Sequence, residues 1–251
     1  MTKLSVNVNK VATLRNQRDG EVPSVLGASV AALRAGAHGI TVHPRPDARH
    51  IRRYDVDQLH ELLASPEWSE RELNIEGNPL DFGGGHLMPI LREVRPTQAT
   101  LVPDDPGQNT SDHGWDIVKH LDTLKPIIRE LQDLGCRVSL FLDPDPEMAR
   151  RVADTGADRI ELYTEGYAKA FIQGGDVLDQ SLASFVGTAK AAAAVGLGVN
   201  AGHDLNLDNL PGLIAVPNLL EVSIGHALVA DALLMGMDRA VRAYLACCAG
   251  G

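Results

Sequence analysis

Histidine follows three short apolar runs of the chain. Val199-Asn200-Ala201-Gly202-His203 and Ser223-Ile224-Gly225-His226 are two similar stretches, and the run from Gly39 to Val42 ends in His43. Imidazole titrates near neutral pH, so histidine is suited to proton transfer. Apolar strands that repeatedly end in His, Arg or Gly gather polar groups at one end of a sheet, and that end is where an α/β barrel has its active site.

Other polar residues follow the remaining apolar runs in the same way. His and Glu in one cleft are suited to acid–base chemistry because a partly buried glutamate can titrate near neutral pH. Arg and Lys add sites for anionic oxygens. In chain order, these strand-end residues are Asn7, Asn9, Lys10, Arg15 and Arg18; His43, Arg45, Arg49 and His50; Glu76; Asp104, Asp105 and Thr110; Asp143; Glu161 and Thr164; Asn200, Gly202 and His203; and Gly225 and His226.

Each of these residues also has a structural interpretation. His43, His203 and His226 could be satisfied structural histidines, and Glu76 could be a buried ion-pair partner. A His/His/Glu set from different strands could also bind a metal. The first strand carries no H-x-H and the chain has no H-E-x-x-H, so we expect no metal.

Strand-like and helix-like segments alternate along the chain. The predicted strands are 4–8, 39–42, 72–76, 98–102, 136–142, 158–162, 197–200 and 219–223. The predicted helices are 23–35, 55–64, 81–94, 117–134, 146–155, 177–195, 206–215 and 226–246. Buried strands alternating with helices indicate a parallel sheet, and eight such units predict a closed (β/α)8 TIM barrel. An open doubly wound sheet is the alternative, but no G-x-G-x-x-G follows the first strand, which disfavours its dinucleotide-binding form.

The chain is expected to form a single domain over residues 1–251, because no linker rich in Pro, Gly or Ser divides it. Two long loops, 103–116 and 163–176, are predicted at the same end as the histidines, where long loops often act as lids. Gly236 divides the last helix into 226–235 and 238–246. The first piece is a short extra helix after the eighth strand, and its N-terminal amides suit a phosphate.

Composition excludes several classes of protein. The net charge is −10 over 251 residues, which argues against nucleic acid as the main partner because binding a phosphate backbone requires a basic face. No stretch is long and apolar enough to span a membrane, and no signal-peptide core follows Met1. The three cysteines lack metal-ligand spacing, and a reduced, cytoplasmic setting fits them best.

The motifs match a known family in order along nearly the whole chain. They are Asn7; Val11-Ala12-Thr13-Leu14-Arg15-Asn16; Gly39-Ile40-Thr41-Val42-His43; Arg45; Arg49-His50-Ile51; Asn74-Ile75-Glu76; Leu101-Val102-Pro103; Val138-Ser139-Leu140-Phe141; Val199-Asn200-Ala201-Gly202-His203; and Ile224-Gly225-His226-Ala227. On these residues, the chain resembles the pyridoxine 5′-phosphate synthase family of vitamin B6 synthesis.

The resemblance implies an α/β barrel that joins 3-amino-2-oxopropyl phosphate to 1-deoxy-D-xylulose 5-phosphate. The products are pyridoxine 5′-phosphate, inorganic phosphate and water. It also implies no metal or organic cofactor and assembly as a homo-oligomer, typically an octamer.

The resemblance also assigns roles by position. His43 and Glu76 match the family's proton acceptors, and His203 matches its proton donor. Substrate contacts are expected from Arg45, His50 and Thr110 on the xylulose phosphate, from Asn7, Arg18, Gly225 and His226 on the amino-oxopropyl phosphate, and from Asn9, Lys10 and Asp204. Many members of the family have Asp-His where this chain has Asn9-Lys10, and Gly where it has Asp204.

Two other functions are compatible with the same residues. A lyase or isomerase acting on another phosphosugar would explain the Asn9-Lys10 pair. A barrel that binds a B6 vitamer or a sugar phosphate without turnover would need no proton-transfer groups, and the presence of His43, Glu76 and His203 speaks against it.

Overall fold

Eight parallel strands close into a barrel in the computed structural model, which describes residues 1–83, 85–105, 107–108 and 110–250. Each strand pairs with the next one in the chain, and the last pairs with the first. The strands are β1 (Lys3–Asn7), β2 (Gly39–Val42), β3 (Glu72–Gly77), β4 (Gln98–Leu101), β5 (Arg137–Leu142), β6 (Arg159–Tyr163), β7 (Gly198–Gly202) and β8 (Leu219–Ile224). The closed order confirms the predicted barrel over the open sheet.

The helices lie outside the barrel. They are α1 (Asn9–Arg15), α2 (Val25–Arg34), α3 (Arg53–Ala64), α4 (Leu87–Val94), α5 (Ile117–Asp133), α6 (Pro146–Val152), α7 (Glu165–Gln173), α8 (Gly175–Ala194), α9 (Leu210–Ile214), α10 (His226–Met235) and α11 (Met237–Cys248). Single 3₁₀ turns occur at Asp81–Gly83 and Ala153–Thr155.

Local sequence signals explain where helices begin and which face they bury. The Asp145 side chain accepts hydrogen bonds from the backbone N–H groups of Glu147 and Met148, and Pro146 occupies the first turn of α6. This is the expected N-cap, in which a carboxylate satisfies free amides. Helix α5 buries Ile117, Leu124, Ile128 and Leu131, which recur at helical spacing and face the barrel.

Side chains that point outward from the strands form the apolar core. Leu4 and Val6 on β1 and Ile40 and Val42 on β2 are fully buried. Alternation along each strand places these residues on the face that packs against the helices. Burying each such side chain contributes about 1.5–3 kcal/mol to stability.

The inward-pointing side chains are mostly polar. Gln98 Nε2 donates to Glu221 Oε1 at 3.2 Å, and Asn200 Nδ2 donates to Gln98 Oε1 at 3.3 Å. Because β4 and β8 lie on opposite sides of the barrel, the first of these bonds crosses its interior. Bulky branched residues usually fill this space in TIM barrels. The buried Ser5 and Thr41 hydroxyls also point inward and lie 2.7 Å apart.

Two helices lie where the sequence predicted none. Segment 163–176, predicted as a long loop, contains α7 and the start of α8. Tyr167 and Ala170 are buried three residues apart on α7, so the segment forms a helix against the barrel. The short helix α1 was also missed; it buries Val11, Ala12 and Arg15.

Two predicted helices are shorter than expected. The helix predicted at 81–94 is α4 alone, after a 3₁₀ turn at Asp81–Gly83. The helix predicted at 206–215 begins only at Leu210. The Asn206 side chain accepts hydrogen bonds from the N–H groups of Asp208 and Asn209, which holds these residues in a turn.

The division of the last helix at Gly236 is confirmed. Gly236 has a φ of 85°, which glycine adopts without steric cost, and α10 ends immediately before it. Among the described residues, no helix is long and apolar enough to cross a bilayer. Cys136, Cys247 and Cys248 are free thiols, and the first and last are buried.

Candidate active site

The carboxyl ends of the strands surround a cavity of about 500 Å³. It lies at the end of the barrel where the histidines were expected. The candidate residues that line it are Asn7, Asn9, Lys10, His43, Arg45, His50, Glu76, Thr110, His203, Asp204, Gly225 and His226. Arg18 does not line the cavity; it follows α1 and is exposed.

His43 stands at the end of β2 and is buried. Its Nε2 lies 3.7 Å from Asp104 Oδ2. Burial lowers the pKa of His43 to about 3, and the positive charge of Arg45 acts in the same direction. The imidazole is therefore neutral at physiological pH, which leaves one ring nitrogen unprotonated.

His50 occupies the neighbouring wall beside cationic side chains. Burial lowers its pKa to about 3, with smaller contributions from His43 and Arg45. Its Nδ1 accepts a hydrogen bond from the Ile51 amide at 2.9 Å, so the ring proton of the neutral form is on Nε2. Lys10 and Arg49 line the same part of the cavity, which makes this wall suited to an anion.

Glu76 and Glu161 are two buried carboxyl groups on the cavity floor. Burial raises the pKa of Glu76 well above its usual value, and the nearby Glu161 raises it further. Burial also raises the pKa of Glu161, with Glu221 below it acting in the same direction. When two carboxyl groups lie close together, ionising both is unfavourable. The pair therefore keeps one proton at a pH where an exposed carboxyl has lost its own. The floor can therefore both give and accept a proton.

His203 follows β7, three strands around the barrel from β2, which precedes His43. Its Nε2 is hydrogen-bonded to Thr110 Oγ1 at 2.8 Å, and its ring packs edge-on against Tyr163 at 5.0 Å between centroids. Asp204 Oδ2 lies 3.3 Å from the other ring nitrogen, Nδ1. The imidazole is thus fixed between the 103–116 loop and the loop after β7.

Arg45 was expected to contact a substrate phosphate, and it does line the cavity. Its guanidinium, however, also binds the described part of the 103–116 loop. Nη1 donates to Asp104 Oδ2 at 2.9 Å, and Nη2 donates to the carbonyls of Asp105 and Gln108. Asn78 Nδ2 donates to the Asp104 carbonyl at 2.8 Å. The described part of the loop is therefore held beside the cavity by the buried Arg45 and the half-buried Asn78.

Two asparagines fix the strand ends beside His43. Asn9 Oδ1 accepts a hydrogen bond from the His43 amide at 3.0 Å, and Asn7 Oδ1 accepts one from the Asn9 amide at 3.0 Å. Next to them, Gly225 precedes α10, which begins at His226. The amide groups in the first turn of α10 lack helical partners, and the helix dipole favours an anion there.

The described residues contain no group of three or more His, Cys, Asp or Glu side chains arranged to hold a metal ion. The described cavity walls instead combine imidazoles, carboxyl groups and cationic side chains.

Residues 4–250 match the family model described as pyridoxal phosphate biosynthesis protein PdxJ. The chain belongs to this family. A protein of Albidiferax ferrireducens named pyridoxine 5′-phosphate synthase is 52% identical over 100% of this chain and 98% of its own length. Proteins with the same name from Xanthomonas campestris and Brucella anthropi are 53% and 50% identical, over 100% and 97% of this chain and 97% and 98% of their own lengths.

Solved structures with little sequence similarity share the fold. Thiamine phosphate pyrophosphorylase from Pyrococcus furiosus superposes with a TM-score of 0.59 at 15% identity, covering 98% of this chain and 95% of that one. Phosphoribosyl anthranilate isomerase from Thermotoga maritima superposes with a TM-score of 0.60 at 12% identity, covering both chains fully. At these identities the likeness concerns the barrel alone.

The family resemblance assigned no role to several residues that contact the cavity. Glu161 was identified as a strand-end residue, and its position after Ile160 parallels that of Glu76 after Ile75. That parallel is the signal that could have paired the two carboxyl groups. Thr13, Gln17 and Glu165 also line the cavity, but they lie on or beside the missed helices α1 and α7.

Proposed function

We propose that this chain closes the ring of pyridoxine 5′-phosphate from 3-amino-2-oxopropyl phosphate and 1-deoxy-D-xylulose 5-phosphate, as a pyridoxine 5′-phosphate synthase. Membership of the PdxJ family and the name shared by its relatives support the activity. The observation that carries the assignment to this site is that His43, Glu76 and His203 line one cavity.

The cavity has two regions suited to phosphate. One is the wall of Lys10, Arg49 and His50, where we place the xylulose phosphate together with Arg45 and Thr110. The other is the start of α10 at Gly225 and His226, where we place the amino-oxopropyl phosphate together with Asn7. Cationic side chains and free helix amides both bind phosphate. Arg18 would have to reach its substrate from outside the described cavity.

The reaction needs several proton transfers. The amine attacks a ketone and water leaves; enolisation, loss of phosphate and a second carbonyl attack then close the ring. Neutral His43 can accept a proton, and the Glu76 and Glu161 pair can hold one at neutral pH. His203 is placed to give a proton to a leaving oxygen. No step requires a metal or an organic cofactor.

An assay with both substrates tests this function. Purified protein in the presence of a chelator should form the pyridoxine phosphate chromophore and release inorganic phosphate. Absence of both products would reject the synthase. Phosphate release or isomerisation with one substrate alone would instead indicate a lyase or isomerase, and saturable binding without turnover would indicate a vitamer or sugar-phosphate binder.

We also propose that the chain assembles as a homo-oligomer, an octamer by family resemblance. Helix α10 is apolar except for His226 and Asp231 but buries only Leu228, and Leu233 and Leu234 are 70% and 90% exposed. Ile172 on α7 is also exposed. Exposed apolar surface of this kind marks contact sites, and a second copy is the partner we expect. Light scattering on the wild type and on Leu234→Glu tests this: the variant should dissociate, and a monomeric wild type would refute it.

We expect the protein to act in the cytoplasm. The three free thiols support a reducing compartment. Localisation of a tagged chain by cell fractionation tests this expectation.

A further inference from the structure

We propose that Asp204 is a positioning residue that orients His203 and favours its protonated form, rather than a direct contact to substrate. This proposal rests on the proposed function, in which His203 gives a proton. It concerns one carboxylate and one imidazole on consecutive residues at the end of β7.

The distances place the carboxylate behind the ring. Asp204 Oδ2 lies 3.3 Å from His203 Nδ1, while His203 Nε2 is directed to Thr110 Oγ1 at the cavity. Nδ1 is buried and has no aligned hydrogen bond within the part of the chain that the structure describes. The carboxylate of Asp204 is thus the acceptor beside it.

The backbone holds this arrangement from both sides. His203 and Asp204 have φ values of 92° and 56°, in a region of backbone conformation that residues other than glycine seldom adopt. Thr164 Oγ1 donates to the carbonyls of Gly202, at 2.8 Å, and His203. Asn209 Nδ2 donates to the Asp204 carbonyl at 3.0 Å. The unusual conformation turns the Asp204 side chain back towards the ring that precedes it, and its neighbours fix it there.

The electrostatics agree with the geometry. The pKa of Asp204 is lowered, first by its interaction with His203, and also by the charges of His226 and Lys169. The two groups therefore attract each other when the ring carries a positive charge. The groups that lie around this pair on the surrounding elements are Glu161 and Tyr163 on β6, Glu165 and Lys169 on α7, Thr110 on the 103–116 loop, and His226 on α10.

Orientation has a chemical consequence. A carboxylate that accepts the proton of Nδ1 leaves Nε2 as the nitrogen that exchanges a proton with the substrate. A carboxylate beside the ring also stabilises the positive charge that the ring carries when it acts as an acid.

Four variants separate this role from a structural one. Asp204→Asn keeps the shape but removes the charge. Asp204→Gly suits the positive φ and removes the carboxylate without backbone strain. Asp204→Glu restores the charge. The matched control is Asp208→Asn, an exposed aspartate of the same loop that does not line the cavity.

The first measurement is the pH dependence of kcat and KM for both substrates. For Asp204→Asn and Asp204→Gly, we expect the alkaline limb of kcat to move to lower pH by about 0.5–1 unit, as for a charge close to a partly exposed ring. KM should change less than twofold. Asp204→Glu should recover part of the shift, and Asp208→Asn should follow the wild type. Superimposable kcat profiles for wild type, Asp204→Asn and Asp204→Gly would overturn the proposal.

The second measurement does not depend on turnover. Diethyl pyrocarbonate modifies only unprotonated imidazole, and peptide mass spectrometry reads its rate at His203 as a function of pH. We expect the pH at which the modification rate is half-maximal to be lower in Asp204→Asn and Asp204→Gly than in wild type. An unchanged midpoint pH would refute the interaction between Asp204 and His203, even in an active enzyme. A shifted midpoint pH in a chain that makes no product would refute only the proposed function.

Discussion

Gly202 leaves the space in which the carboxyl group of Glu161 lies. A Cβ atom at position 202 would be 2.6 Å from Glu161 Oε1 and 3.2 Å from the Ser223 carbonyl oxygen. A Cβ atom does not approach another atom as closely as 2.6 Å in real proteins. Glu161 Oε1 belongs to a flexible side chain, however, and can move away. The absence of a side chain on β7 therefore determines the position of a carboxyl group on β6.

Gly202→Ala should consequently impair chemistry more than stability. We expect kcat to fall at least tenfold, because Glu161 must leave its place beside Glu76, while the melting temperature falls by only a few degrees. Steady-state kinetics and calorimetry check this. Gly166→Ala, where nothing lies within 4 Å of the new Cβ, is the matched control and should keep full activity. Wild-type kcat in Gly202→Ala would show that the position of Glu161 is unimportant.

Glu76→Gln should abolish most turnover without unfolding the protein, and His203→Asn should do the same. The pKa of Glu76 is raised in the folded protein. Ionisation of Glu76 therefore lowers the free energy of unfolding once the pH rises above the pKa that this residue has in the unfolded chain. Replacing it should therefore raise the melting temperature more at pH 8 than at pH 5. Thermal scans at both pH values test the sign. A variant that melts far below wild type yet keeps its specific activity would have lost a structural residue.

Asp55→Ala should strongly destabilise the fold. Arg15 and Asp55 are 2% and 1% exposed, and Arg15 Nη2 donates to Asp55 Oδ2 at 2.9 Å. Removing one partner leaves a buried guanidinium uncompensated, which costs about 3–5 kcal/mol. Urea denaturation measures this cost. Asp57→Ala breaks the exposed pair with Arg53 and should cost about 0–1 kcal/mol; equal effects of the two substitutions would contradict the prediction.

Arg45→Lys should loosen the loop over the cavity while keeping its positive charge. One ammonium cannot reproduce the forked geometry with which the guanidinium contacts Asp104, Asp105 and Gln108. We expect hydrogen exchange of the described loop amides to accelerate at least tenfold and kcat/KM to fall. Arg53→Lys, on the outer helix α3, is the control. Unchanged exchange in Arg45→Lys would mean that other contacts hold the loop.

The alternation of strand-like and helix-like segments was enough to predict the eight strands and the barrel, and the polar residues that follow the strands indicated the end at which the site lies. His43, Glu76 and His203 could be found because a strand end in a parallel barrel has a fixed place in space. The partners of their side chains could not be found in this way. Arg45 binds loop carbonyls, which every residue possesses and no residue type reveals.

The missed helices have a physical reason as well. Helix α1 has only seven residues and no side-chain N-cap, and it is held by packing of Val11 and Ala12. Helix α7 contains Gly166 and ends at Gly174 and Gly175, which read as loop residues until the burial of Tyr167 is known. Short helices of this kind are stabilised by tertiary contacts rather than by local propensity.

Each strand of the barrel supports the site with its inward-pointing polar side chains and the apolar core with its outward-pointing ones. Thr100 Oγ1 donates to Asn74 Oδ1 at 2.9 Å directly below the acid–base floor, while Ile75 and Ala99 beside them face the helices. Substitution of the inward-pointing residues of a strand can therefore change the reactivity of the site, while substitution of the outward-pointing residues of the same strand changes stability.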